Sequence, residues 1–133
     1  DGYRYEPLWI NPVDAKELGI EHGDIVKIYN ERGWTMGGAY VTERIMPHSV
    51  LQDHGARIDP IEPGVSDRGG TNNLIAPKAI ASKNCAGEVT SGYLVGVEKV
   101  DVFELAKQYP EAFSKPYDPD YGVMQDAWFV EGE

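Results

Sequence analysis

One nineteen-residue stretch, Ile10-Asn11-Pro12-Val13-Asp14-Ala15-Lys16-Glu17-Leu18-Gly19-Ile20-Glu21-His22-Gly23-Asp24-Ile25-Val26-Lys27-Ile28, limits the folds open to this chain more than any other feature. It spells a strand end, a capped short helix, a tight turn and a second strand, with almost nothing between them. Asn11 carries the side-chain oxygen of a helix cap, and Pro12 at the first helical position gives up an N–H that has no helical partner anyway. Asp14 falls in the first turn, where the helix dipole favours a carboxylate. Ala15 and Leu18 make one apolar side, and Gly19 is the residue type that ends a helix in a left-handed conformation. His22-Gly23-Asp24 turns the chain, and Ile25, Val26 and Ile28 then read as a strand with a buried face. A helix this short between two strands predicts a small closed barrel.

The rest of the chain fits a mainly β protein of short elements. Residues 1–9 form an incoming extended segment in which Tyr3, Tyr5, Leu8 and Trp9 are candidates for barrel packing. Asn30-Glu31-Arg32-Gly33 is a hairpin turn into a strand at Trp34–Thr42, where Gly37-Gly38 marks a bulge or a close backbone approach. A connector, 43–48, leads to a short strand at Ser49–Gln52. Residues 58–73 hold three glycines and two prolines and predict a long functional loop, and 78–92 lack periodicity. Tyr93–Val100 reads as a strand, and Asp101 then caps a helix that ends before Pro110. The remainder reads as an extended acidic tail whose Trp128 and Phe129 need another surface to cover them. We therefore expect a barrel domain over 1–100 and a short helix plus tail over 101–133.

Bulk properties narrow the function classes. A chain of 133 residues with 41% hydrophobic content supports one real core. A net charge of −10 disfavours nucleic acid, which is held by clustered Lys and Arg. The charge is uneven: residues 101–133 carry eight acidic and two basic side chains, whereas 52–100 carry six and five. The near-neutral middle is where an anionic ligand is least repelled. No apolar run reaches membrane-spanning length, so no membrane insertion is expected. A single cysteine, Cys85, excludes an internal disulfide and a thiolate zinc cage, and reads as a small packed residue. His22 and His48 sit in turns and read as structural or solvated. A start without Met or any signal-peptide pattern leads us to expect a piece of a larger protein.

An ordered series of motifs goes beyond composition. Ile10-Asn11-Pro12-x-Asp14-Ala15-x-x-Leu18-Gly19-Ile20-x-x-Gly23-Asp24-x-Val26, then Gly33, Met46-Pro47-x-Ser49-Val50, His54-Gly55, Asn72-Asn73-Leu74-Ile75 and Ser91-Gly92 follow one another over roughly 1–100. This series resembles the C-terminal domain of the molybdopterin-dinucleotide enzymes of the dimethyl sulfoxide reductase superfamily. Thr90-Ser91-Gly92-Tyr93-Leu94-Val95 with Glu98-Lys99-Val100 is similar to large subunits of the pyrogallol–phloroglucinol transhydroxylase type.

The resemblance implies a six-stranded double-psi β-barrel with short helices, of the aspartate decarboxylase/formate dehydrogenase C-terminal-like kind. It implies bis-molybdopterin guanine dinucleotide, with Mo or W held by other domains, and oxygen-atom or hydroxyl transfer. Residue by residue, His54 and Gly55 match the loop that approaches a pterin or its diphosphate, and Asn72, with Asn73 beside it, matches a pterin-bonding asparagine. Thr90, Ser91 and Gly92 match the last cofactor loop, with Ser91 standing where some relatives carry Lys. No metal ligand or catalytic residue is expected in this chain. The implied partners are other domains of the same large subunit and an iron–sulfur electron-transfer subunit, in the cytoplasm or, less favoured, the periplasm.

Bland physics competes at each position. Asn72 alone reads as an Asx turn shaping its loop, and His54 as a surface side chain. Asn11 and Asp14 belong to the signature yet act as caps, so they are assigned to the fold. Gly55, Gly69, Gly70 and Gly92 permit close backbone approach to a ligand. One alternative is a stand-alone double-psi barrel that binds proteins or peptides, for which the 58–73 loop with Asn72-Asn73 is superfluous. A self-processing decarboxylase on the same barrel is excluded, because its chemistry needs a Gly-Ser pair and none occurs.

Overall fold

A computed structural model describes residues 2–89 and 91–114, together with the backbone of 117–118 and 123–124. The described elements, in chain order, are β1 (Pro7–Ile10), α1 (Pro12–Leu18), β2 (Ile25–Asn30), β3 (Gly33–Val41), β4 (Val50–Gln52), β5 (Pro60–Glu62), β6 (Ser66–Asp67), a 3-10 turn (Asn72–Leu74), β7 (Ile80–Ser82), β8 (Cys85–Glu88), β9 (Gly96–Lys99), α2 (Val102–Gln108), α3 (Pro110–Phe113) and a strand pair, β10 (Tyr117–Asp118) with β11 (Val123–Met124). The chain is mainly β, with one mixed sheet and a few short helices.

The first helix forms for the reasons its sequence carries. Asn11 is extended, at φ −68° and ψ 143°, and its Oδ1 accepts from the Val13 N–H at 2.9 Å. Gly19 ends the helix at φ 68°, a conformation that costs little only without a Cβ. The two polar signature residues also reach outward. Asn11 Nδ2 donates to the Ile45 carbonyl at 2.8 Å, and Asp14 Oδ2 accepts from the His48 backbone N–H at 2.7 Å. Both bonds pin the connector to α1, and His48 adopts φ 63° there.

Strand β3 is the spine of the sheet. One edge pairs antiparallel with β2, which in turn pairs with β9. The other edge is shared by two parallel neighbours, β6 near its start and β1 near its end, with β5 and β4 added beyond them. Among the described residues this sheet does not close on itself. Leu8, Ile10, Val26, Ile28, Ala39, Ile75 and Val97 form the core with Ala15 and Ile20 beside α1. Each large aliphatic side chain buried there contributes about 1.5–3 kcal/mol relative to exposure. Gly37 is a close approach and not a bulge. The β2–β3 register runs unbroken through it, and a Cβ there would stand 3.1 Å from the Glu6 carbonyl and 3.3 Å from Ile28 Cδ1.

Three sequence expectations need correction. The 58–73 stretch is not a bare loop: β5 and β6 lie within it, and Asp59, Ser66, Asp67 and Arg68 are buried. The 78–92 stretch, aperiodic in sequence, contains the antiparallel β7–β8 hairpin. The strand expected over 93–100 is Gly96–Lys99 only, because the run before it turns aside, with Tyr93 and Val95 walling a pocket. The capped helix is present, with Asp101 Oδ1 accepting from the Phe103 N–H at 2.9 Å, and α3 follows it. Trp128, Phe129 and the side chain of Cys85 lie outside the described residues.

Asp24 ties the turn after α1 to the far strand. Its Oδ2 accepts from the Glu21 N–H at 2.8 Å and lies 3.0 Å from Lys99 Nζ. The Glu21 N–H first, and then Lys99, hold this carboxyl below its ordinary value of 3.8. A depressed folded-state value stabilises the fold above the ordinary value, and that stability is lost as pH falls through the depressed one. The stability gap between the wild type and Asp24→Asn should therefore narrow on acidification below 3.8. Unfolding curves whose gap is the same at neutral and acid pH would refute this.

Candidate functional site

A pocket of about 470 Å³ opens where several segments meet. Its floor is apolar, from Leu8 of β1, Ile28 of β2 and Val50 and Leu51 of β4. Its polar rim comes from Gln52-Asp53-His54, from Asn72-Asn73 in the 3-10 turn, and from Ser91 and Gly92, with Tyr93 and Val95 behind them. His54, Asn72, Asn73, Ser91 and Gly92 thus converge on one pocket from three separate stretches of sequence. Gly55 follows the rim but does not line it, being exposed at φ 96°. Thr90 lies outside the described residues.

Local bonding presents the asparagines. The Asn72 carbonyl accepts from the Ile75 and Ala76 N–H groups at 3.1 and 3.0 Å, which tightens the turn. Ile75, 2% exposed, anchors that turn in the core. The Asn72 amide reaches the Asp53 carbonyl at 3.5 Å, the outer limit of a hydrogen bond, and Asn73 is exposed. Gly92 has φ 79° with open space around it. Gly69 and Gly70 are different from expectation: protein fills the room they leave. A Cβ on Gly69 would run into the Arg57 carbonyl, and one on Gly70 would press Glu6 Cγ at 3.0 Å and Gln52 Nε2 at 3.1 Å.

Behind the rim lies a buried polar cluster that composition alone did not reveal. Asp67 accepts from the Asp59 N–H at 2.6 Å and from the Thr71 N–H at 3.0 Å. Tyr3 donates to Asp59 at 3.1 Å, and Arg68 Nε donates to the Tyr5 hydroxyl at 3.2 Å. The Arg68 guanidinium also stacks 4.1 Å from the Tyr3 ring and 4.3 Å from Phe113 of α3. Burial, and then the Asp59 carboxylate, push the Tyr3 phenol far above its ordinary value. Burial also raises Tyr5, against the opposing pull of Arg68. These tyrosines brace the loop and stay protonated.

The wall holds one orphan. Gln52 Nε2 donates to the Met36 carbonyl at 3.3 Å, but its buried Oε1 has no partner among the described residues. Gln52 and Tyr93 were not singled out from sequence, since both lie in apparent strands. Among the described residues no group of three or more His, Cys, Asp or Glu could hold a metal ion. None of the described lining residues is Lys or Arg, and Asp53 is among them. This donor and acceptor set matches a flat heterocycle with hydrogen-bonding edges.

The Molydopterin dinucleotide binding domain family model matches residues 1–89. The chain belongs to the molybdopterin dinucleotide-binding domain family. It is 36% identical over 104 residues to the pyrogallol hydroxytransferase large subunit of Pelobacter acidigallici, covering 76% of this chain and 12% of that one. It is 35% identical over 113 residues to the dimethyl sulfoxide/trimethylamine N-oxide reductase of Cereibacter sphaeroides, covering 77% and 14%. It is 41% identical over 95 residues to the dimethyl sulfoxide reductase DmsA of Escherichia coli, covering 71% and 11%. The domain thus spans about one-eighth of the length of these large-chain relatives. Among the described residues no helix is long and apolar enough to cross a membrane.

Proposed function

We propose that this domain closes over molybdopterin guanine dinucleotide bound mainly by other domains of a larger chain, and seats the pterin end in the pocket at His54, Asn72, Asn73, Ser91 and Gly92. The observation that carries the reading is the convergence of those five residues on one cleft with an apolar floor. Asn72 and Asn73 offer amide donors and acceptors to the heterocycle's edges. Gly92 lets backbone approach the ring; Gly55 and Thr90 are assigned to the same cofactor by the family resemblance alone. The diphosphate is assigned elsewhere, since no Lys or Arg is among the described lining residues.

When bound, the cofactor supplies a redox-active Mo or W centre; this chain's residues orient the pterin and keep water from it. On this reading the whole protein is a bis-molybdopterin guanine dinucleotide enzyme of oxygen-atom or hydroxyl transfer, in keeping with relatives named as reductases and a hydroxytransferase. An iron–sulfur subunit would then exchange electrons with it. The finer architecture we propose is a six-stranded double-psi barrel over 1–100, completed beyond the open sheet, with 101–133 as a separate helix and tail. The adaptor reading draws no support from relatives named as reductases and a hydroxytransferase.

The test is cofactor retention. Each neutral hydrogen bond contributes about 0.5–1.5 kcal/mol, so Asn72→Ala with Asn73→Ala in the full-length enzyme should weaken retention about ten- to a hundred-fold. Nucleotide released by acid from the purified variant measures it. Retention equal to that of the wild type would remove the asparagines from the site.

A further inference from the structure

We infer that Asn30 and Arg32, in the β2–β3 turn outside the pocket, are positioning residues that set the spacing between the two segments carrying Asn72-Asn73 and Ser91-Gly92. The inference rests on the cofactor reading above. The Ile75 carbonyl, at the end of the 3-10 turn, accepts from Asn30 Nδ2 at 2.7 Å and from Arg32 Nε at 2.8 Å. Two donors on one carbonyl fill both of its lone pairs, and the guanidinium bond is charge-assisted. The same two side chains hold the second segment. Asn30 Nδ2 lies 3.5 Å from the Leu94 carbonyl, and the Arg32 guanidinium sits 5.9 Å from the Tyr93 ring centroid. Asn30 Oδ1 accepts from the Arg32 N–H at 3.0 Å, so each residue fixes the other.

The turn is well placed for this. It closes the longest uninterrupted pairing in the sheet, six matched positions from Ile25–Gly38 to Asn30–Gly33, and so moves little. The segments it holds are less supported. Asn72–Leu74 is a single 3-10 turn, and 92–95 make no strand before β9 begins. Both flank the pocket, which Ile75, Ser91, Gly92 and Tyr93 line while Asn30 and Arg32 do not. A rigid hairpin that holds both walls defines the gap between them.

Two conservative variants in the full-length holoenzyme test this. Asn30→Asp keeps the oxygen that receives the Arg32 N–H and removes the donor to Ile75. Arg32→Lys keeps the charge and removes the Nε fork and the plane over Tyr93. Arg32→Lys should speed cofactor loss about ten-fold, the effect of one charge-assisted bond, and Asn30→Asp about five-fold, the effect of one neutral bond. Amide hydrogen exchange should rise at 72–76 and 91–95 together while β1 and β3 stay protected. A uniform rise across β1 and β3 would mean a merely structural role and overturn the inference. So would local loosening with cofactor loss at the wild-type rate. If Asn30→Asp does not fold, Arg32→Lys, in an exposed turn, decides alone. The Asn72→Ala/Asn73→Ala variant in the same assay separates the two readings. If it retains cofactor, the site itself is wrong; if it loses cofactor while the turn variants do not, only the positioning role falls.

Discussion

Replacing Gly69 with alanine is expected to destabilise the chain by about 3 kcal/mol, the upper end of the usual cost of overpacking. The added methyl would be driven into the backbone carbonyl of Arg57, with Asp67 Oδ1 at 3.2 Å on its other side. A flexible side chain could swing away from such a contact, but a carbonyl moves only if its chain segment moves. The nearest relief separates 57–59 from 66–69, which strains the Arg68 N–H bond to the Asp59 carbonyl at 2.8 Å and the Asp59 N–H bond to Asp67. Gly64→Ala is the informative control. Gly64 has φ 78° with open space around it, so alanine there meets only the left-handed penalty, about 1–2 kcal/mol. Urea unfolding followed by tryptophan fluorescence ranks the two. Equal losses, or a milder loss at Gly69, would mean that 57 and 69 are not pressed together as described. Because Gly69 stands two residues before Thr71, the same variant should also displace Asn72.

The contrast between these glycines marks how far the sequence could be read. Local chemistry was legible: the Asn11 cap, Pro12, the Gly19 stop and the two-residue turn at Glu31-Arg32 depend on neighbours only a few residues away. The Asp101 cap was legible for the same reason. The order of signature motifs also brought the pocket-lining asparagines, His54, Ser91 and Gly92 into view before any geometry existed. What stayed hidden was set by partners far along the chain. Residues 58–73 look like loop because their apolar content is low, yet Asp59 and Arg68 are buried by contacts with Tyr3, Tyr5 and Phe113. No periodicity marks a buried polar cluster, since hydrogen bonds and not apolar area hold it together. Tyr93 and Leu94 mislead in the opposite sense. Their apolar run has strand character, but Tyr93 lies against Arg32 at the pocket wall, Leu94 is exposed, and pairing begins only at Gly96.

That cluster makes Asp67 the second position of large expected effect. Asp67 is fully buried, and its two oxygens accept from the Asp59 and Thr71 N–H groups, which close opposite ends of the loop segment next to it. Asp67→Ala removes the acceptor from the buried Asp59 N–H and the half-buried Thr71 N–H, and each donor so orphaned costs about 1–3 kcal/mol. A total of about 4 kcal/mol follows, before the small cavity is counted. Asp67→Asn keeps the volume and one carbonyl oxygen, so one N–H stays satisfied while the other faces an amide N–H. Its cost should be about half that of alanine. The order wild type, then Asn, then Ala is therefore the signature of a double acceptor; a residue that merely filled space would tolerate Asn without loss. Hydrogen exchange adds the local readout. In Asp67→Asn the Asp59 or the Thr71 amide should lose protection, whereas Val26 and Ile28 in the core should keep theirs. Since Thr71 leads directly into Asn72-Asn73, loss at its amide should accompany faster release of cofactor from the full-length enzyme. An Asn variant as stable as the wild type, with both amides still protected, would show that the loop is held by something other than this carboxylate.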